Sequence, residues 1–240
     1  YPAYGHVIDR FYPLGSLKTG YFRTCVAPHG SARRFALCLI STWDDTYDVS
    51  GNSTCEFVRG MIMLDDFLIR YVEERKVSLC IAIRTKGHLP EREYYTRKFG
   101  DHATLIEADE EKMASYSAID SSDVSLAICS TLAREAFGWG RKVLFCNFSM
   151  NDQFDLPVNG IWSLKERDYE IFSRQLDELR AISQDEYRRL SGEAAAYMMN
   201  IRENCPAHVF LRNMVEKNLR LAGDKVEYPE ADVSLREKVV

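Results

Sequence analysis

No apolar stretch of this 240-residue chain approaches the ~18 residues that a helix needs to cross a bilayer, so a spanning helix is excluded. A basic excess is missing too. Lys and Arg number 31 against 36 Asp and Glu, a formal charge of −5. That balance argues against a general nucleic-acid face, because no basic surface is left over to meet phosphate backbones. A nucleotide asks for less: a few local cations and the amino end of one helix. Clustered metal ligands are lacking as well. The five histidines are scattered and none of the seven cysteines stands in a CxxC pair, so no metal site is expected. The cysteine number is odd, and Cys38, Cys80, Cys129 and Cys146 sit in apolar, strand-like runs. Buried free thiols in a reducing, cytoplasmic setting account for this better than a disulfide framework.

What is present is an ordinary globular balance, 46% hydrophobic and 28% charged, over a length that can bury one sizeable α/β core. Short apolar runs at 34–42, 77–85, 102–109, 124–129 and 142–148 read as strands, with GIWSL at 160–164 as a sixth. Between them lie helical patterns at 56–74, 90–99, 110–120 and 131–140. In the first, Phe57, Met61, Leu64, Leu68 and Tyr71 share one helix face. Alternating strands and helices with short connections, and strands apolar on both faces, predict a Rossmann-like doubly wound parallel sheet. The rest predicts a helical C-terminal tail at 168–182, 183–199 and 206–221, with a Ser183–Glu186 capping box and Pro206 in a first turn. Residues 1–33 read as a linker at the end of a missing N-terminal domain, 34–222 as the Rossmann-like domain with its tail, and 223–240 as a polar extension.

In an open parallel sheet, ligands bind beyond the carboxyl ends of the strands. After the fourth strand, Ser130 and Thr131 open a helix and Glu135 follows one turn on. Hydroxyls and free helical N–H groups there suit a phosphate, and Glu135 suits ribose hydroxyls. The same spelling also suits a plain helix cap. After the second strand, Arg84, Lys86 and His88 place two cations and an imidazole where a phosphate leaving group would be neutralised, or form a solvated basic turn. After the first strand, Trp43-Asp44-Asp45-Thr46-Tyr47-Asp48 invites a divalent-metal reading, but a solvated Asp-rich loop is the simpler account.

The segment from Ser122-Asp123 through Ser130-Thr131, Glu135-Ala136 and Gly140 to Val143-Leu144 resembles the donor site of GT-B glycosyltransferases. It is most similar to transferases of capsular and surface-polysaccharide biosynthesis, and the likeness extends over roughly residues 8 to 215. The resemblance implies a donor-binding C-terminal domain that takes a nucleotide-sugar as substrate and needs no further cofactor. Arg84, Lys86, His88, Ser130, Thr131 and Glu135 would bind the donor, and Asp44 and Asp45 would face the interdomain cleft near the sugar or acceptor. It also implies an N-terminal GT-B domain supplying the catalytic base, a glycan acceptor, and work in the cytoplasm at the inner face of the membrane. CMP-sugar transferases have a His-Pro pair where this chain has His88-Leu89-Pro90, so CMP- and UDP-type donors both stay open. UDP-sugar 2-epimerases share the architecture and form a second reading. A non-catalytic flavodoxin-like module, for which Asp44-Asp45 is the attraction, forms a third.

Overall fold

The computed structural model describes residues 12, 14–27, 29–50, 53–199, 201 and 204–220; the expected polar extension at 223–240 lies outside them. Six parallel strands form one open sheet: β1 Phe35–Ile40, β2 Leu79–Ala82, β3 Ala103–Ile106, β4 Ser122–Ala127, β5 Lys142–Cys146 and β6 Ser163–Leu164. Their order is β3-β2-β1-β4-β5-β6. β1 is therefore central, pairing Leu37 with Leu79 on one side and with Val124 on the other. The chain switches direction across the sheet between β1 and β4, and beyond the carboxyl ends at such a point open parallel sheets bind their ligands. This order also overturns the flavodoxin-like reading, in which β1 would lie between β2 and β3. Cys38 and Cys80 are register partners on β1 and β2, and both are fully buried.

Helices cover both faces, as strands apolar on both sides require. α2 (Glu56–Arg75) buries Val58, Met61, Leu64, Leu68, Tyr71 and Val72 at helical spacing. Each fully buried leucine there stabilises the fold by about 1.5–3 kcal/mol. α3 (Leu89–Phe99), α4 (Ala114–Asp120) and α5 (Thr131–Gly138) connect the next strands, and α6 (Tyr169–Ala181), α7 (Gln184–Met198) and α8 (Ala207–Arg220) follow the sheet. α6 presents Phe172, Leu176 and Leu179, all 0% exposed, to the core. The expected capping box at Ser183 is half formed. Its hydroxyl accepts from the Glu186 N–H at 3.1 Å, but the Glu186 carboxylate is taken by Arg189 at 2.7 Å.

Two stretches depart from the sequence reading. Residues 17–26, expected as linker, form α1 (Leu17–Tyr21), which runs on into a π-helical turn, Phe22–Val26. Ser16 caps α1 by accepting from the Thr19 N–H at 3.1 Å. Phe22, fully buried, lies 5.6 Å from the Tyr116 ring and 5.5 Å from that of Trp139, so this segment packs on α4 and the end of α5. The predicted helix over 110–120 begins only at Ala114, because Met113 is left-handed at φ 48°. Among the described residues no helix is long and apolar enough to cross a membrane.

Candidate functional site

At the carboxyl edge, a buried carboxylate that the sequence reading missed organises two loops. Glu91, 1% exposed, receives the Ser41 hydroxyl at 2.5 Å, the Arg84 N–H at 2.9 Å and the Thr85 N–H at 3.3 Å. It thereby ties the end of β1 to the loop that follows β2. Two backbone donors and a hydroxyl satisfy what would otherwise be a costly buried charge. The signal for it was the His88-x-x-Glu91 spacing, which is that of a capping box with histidine in the cap. His88 Nδ1 does accept the Glu91 N–H, at 3.3 Å, which opens α3. Glu91→Gln replaces one acceptor oxygen with a donor facing these N–H groups. It is expected to lower stability by about 1.5–3 kcal/mol in urea unfolding, while a value near zero would remove Glu91 from this role.

The predicted cations are set against the predicted acids. Arg84 donates to the Trp43 carbonyl at 3.1 Å and lies 3.8 Å from Asp44, and His88 Nε2 lies 2.8 Å from Asp45. Asp44 is also an Asx turn, and hydrogen bonds from Thr46 are the main reason that its carboxyl stays below the usual range. Lys86 is exposed at the loop tip and makes no ion pair among the described residues. Trp43 is buried and lies 4.6 Å from the Tyr94 ring, which gives the β1 loop a rigid floor. Tyr47, half-buried beside this cluster, packs its ring 5.8 Å from that of Phe57 on α2. Burial first, then Asp44, raise its hydroxyl pKa, and Cys129, immediately before Ser130, acts on it as well.

At α5, Ser130 accepts the Ala133 N–H at 3.3 Å and so serves as the cap, with Thr131 exposed beside it. Glu135 points elsewhere. Its Oε2 accepts from Thr19 on α1 at 2.8 Å and from Tyr116 on α4 at 2.5 Å, both outside the expected site. The structure thus brings Asp44, Asp45, Arg84 and His88 into one cluster, at the same carboxyl edge of the sheet as the helix opened by Ser130 and Thr131. Glu135 is held to the amino-terminal helix. Asn147, Ser149 and Asn151, after β5, bond one another and Asp155 within their own turn. Two cavities, of about 580 and 490 Å³, lie at the opposite, amino edge of the sheet.

The fold is that of a Rossmann-like α/β domain, with the Asp44, Arg84 and Ser130 loops at the carboxyl edge of its sheet. The chain belongs to the family described as "putative O-antigen biosynthesis protein", whose model matches residues 51–215. No curated protein matches it. Solved structures to which it is similar include AviGT4, a glycosyltransferase involved in avilamycin A biosynthesis, at 17% identity and a TM-score of 0.44, covering 90% of this chain and 59% of that one. The wall teichoic acid polymerase TagF is 14% identical at a TM-score of 0.43, with 91% and 54% covered. A UDP-GlcNAc 2-epimerase from Neisseria meningitidis is 14% identical at 0.40, with 85% and 48% covered. The chain spans between 48% and 59% of the length of these three.

Proposed function

We propose that this chain is the donor-binding half of a GT-B glycosyltransferase that adds a sugar from a nucleotide-activated donor to an O-antigen-type surface glycan. Membership of an O-antigen biosynthesis family supports the pathway class. One observation supports the donor site above all. The amino end of α5 follows β4 and the braced loop that carries Arg84 and His88 follows β2, so the two flank the end of β1 at the carboxyl edge of the sheet.

In this reading the first-turn N–H groups of α5, with Ser130 and Thr131, receive the nucleotide phosphates. Arg84 and Lys86 neutralise the charge that develops on the leaving nucleotide. Asp44 and Asp45 hold Arg84 and His88 in place until the donor phosphate competes for them, and they then face the sugar or acceptor. The carboxyl edge would form one half of a cleft that an N-terminal domain, carrying the general base, would close. Transfer would take place at the cytoplasmic face of the membrane where the acceptor is held.

Thermal shift against CMP, CDP, UDP and GDP and their sugar conjugates tests the reading. One nucleotide series is expected to raise the melting temperature with concentration, as mass action requires. Arg84→Ala should weaken that shift at least tenfold without lowering the unliganded melting temperature by more than a few degrees. Nucleotide-independent melting of both proteins, in this chain and in one extended by an N-terminal domain, would sink the proposal.

A further inference from the structure

Cys38 and Cys80 stand side by side in the middle of the sheet. They are register partners on β1 and β2, and both are 0% exposed. Register partners on parallel strands project from the same face of the sheet, and the strands run about 4.8 Å apart. That spacing falls within the ~4.4–6.8 Å between α-carbons that a disulfide spans. Cys146 on β5, equally buried, is placed differently: it lies opposite Leu164 on β6, with its thiol 3.9 Å from the Leu144 carbonyl.

A chain of hydrogen bonds sets the two sulfurs. The Cys38 thiol bonds the Cys80 sulfur; this contact first, and burial after it, raise the Cys38 pKa, and the same contact is the main cause lowering that of Cys80. Ser122 Oγ lies 3.5 Å from Cys80 Sγ and donates its own hydrogen to the Ala118 carbonyl of α4, at 2.7 Å. Cys80 is therefore the sulfur of the pair that loses its proton first, and a thiolate is the form that attacks an oxidant. Cys80 also lies on the side of the pair nearer to solvent. Its register partner on the edge strand β3, Thr104, is exposed and lines the cavity of about 490 Å³.

We propose that Cys38 and Cys80 are a modification site, a dithiol that hydrogen peroxide converts to a reversible disulfide across β1 and β2. The Cys80 thiolate attacks one peroxide oxygen and the O–O bond breaks. Cys80 becomes a sulfenic acid, and the hydroxide that leaves takes up the proton Cys80 gave away. The Cys38 sulfur then attacks the Cys80 sulfur; the S–S bond forms, the S–O bond breaks, and the oxygen departs as water with the Cys38 proton. Two thiols and one peroxide thus give a disulfide and two waters, the sulfurs losing the two electrons that the peroxide gains. The link closes β1, α2 and β2 into one ring, tying together the strands whose ends carry the Asp44 and Arg84 loops. An added thiol reopens it by exchange.

Iodoacetamide first caps the accessible thiols of the native chain; hydrogen peroxide is then added and quenched. The expected product has lost two hydrogen masses, and its tryptic digest joins residues 35–59 to residues 77–84 through Cys38 and Cys80. Its melting temperature should rise by several degrees, because the link constrains the unfolded chain, and dithiothreitol should return it to the starting value. Cys146→Ala should form the link as the parent does, and Cys80→Ala should not. Both are core changes, so the digest of the parent chain decides the matter if either variant fails to fold. Peroxide that leaves both thiols free overturns the proposal, as does sulfinic acid on Cys38 or Cys80 without a link. So does a link that forms only in urea above the unfolding midpoint.

Discussion

Asp65→Asn is expected to stabilise the chain at pH 8 by up to about 4 kcal/mol and to leave it nearly unchanged at pH 4. Asp65 lies on α2, 1% exposed, and burial raises its pKa from 3.8 to about 7, against smaller lowering effects from the Tyr94 hydroxyl and Lys98. The native state therefore holds a proton between about pH 4 and 7 that the unfolded chain releases. Stability attributable to this group is fully present below pH 4, falls as pH rises through that window, and is flat above 7. Asparagine keeps an acceptor for Tyr94, which donates to Asp65 at 2.7 Å, and carries no charge to desolvate. For a chain of this size the gain corresponds to roughly 10 °C in melting temperature. Melting curves of parent and variant between pH 4 and 8 should diverge progressively. Parallel curves would show that Asp65 does not titrate in this window. The residue has a positional use that offsets its cost: Asp65 holds Tyr94, Tyr94 packs on Trp43, and the Trp43 carbonyl holds Arg84.

Gly60→Ala is the second large effect, with the opposite sign. A Cβ at Gly60 would stand 2.6 Å from both the carbonyl carbon and oxygen of Phe148 and 2.9 Å from the Ser149 nitrogen. These are backbone atoms at the end of β5, and Arg167 already holds the Phe148 carbonyl through its Nε at 2.9 Å. Neither side can yield cheaply, so α2 must move off the sheet. A loss of about 3 kcal/mol or more is expected, well beyond the ~1 kcal/mol that alanine gains over glycine in a helix. Gly192→Ala is the internal control. Gly192 lies in α7 with nothing within 4 Å of its would-be Cβ, so it should gain about 0.5–1 kcal/mol. Urea midpoints moving in opposite directions are the expected result, and equal midpoints would refute the packing argument.

Much of the fold is legible in the sequence, for a local reason. Runs such as FALCLI and KVLFC carry their burial in their own composition, and α2 shows its buried face in spacing alone. α1 is not legible in this way. LKTGY is five residues long, and its order comes from Phe22 between Tyr116 and Trp139 and from Gly20 against Pro206. The candidate site divides similarly. The loops bearing Asp44, Arg84, His88 and Ser130 follow from strand ends, and the structure places them at one edge. Which group answers which does not follow. Glu91 meets Ser41 across 50 positions, and Glu135 meets Thr19 across 116. Such pairings depend on how the strands are ordered in the sheet, and β1 stands next to β4 only after α2, β2, α3, β3 and α4 have been laid down elsewhere.

The seven free thiols give the molecule a built-in clock. Cys25 and Cys55 are open to solvent, whereas Cys38, Cys80 and Cys146 are sealed within the central strands. A brief pulse of alkylating reagent would mark the first pair at once and reach the other three only when the sheet itself comes apart. Masses of the labelled chain at successive pulse times would then separate fraying at the periphery from whole-domain opening, with no probe engineered in.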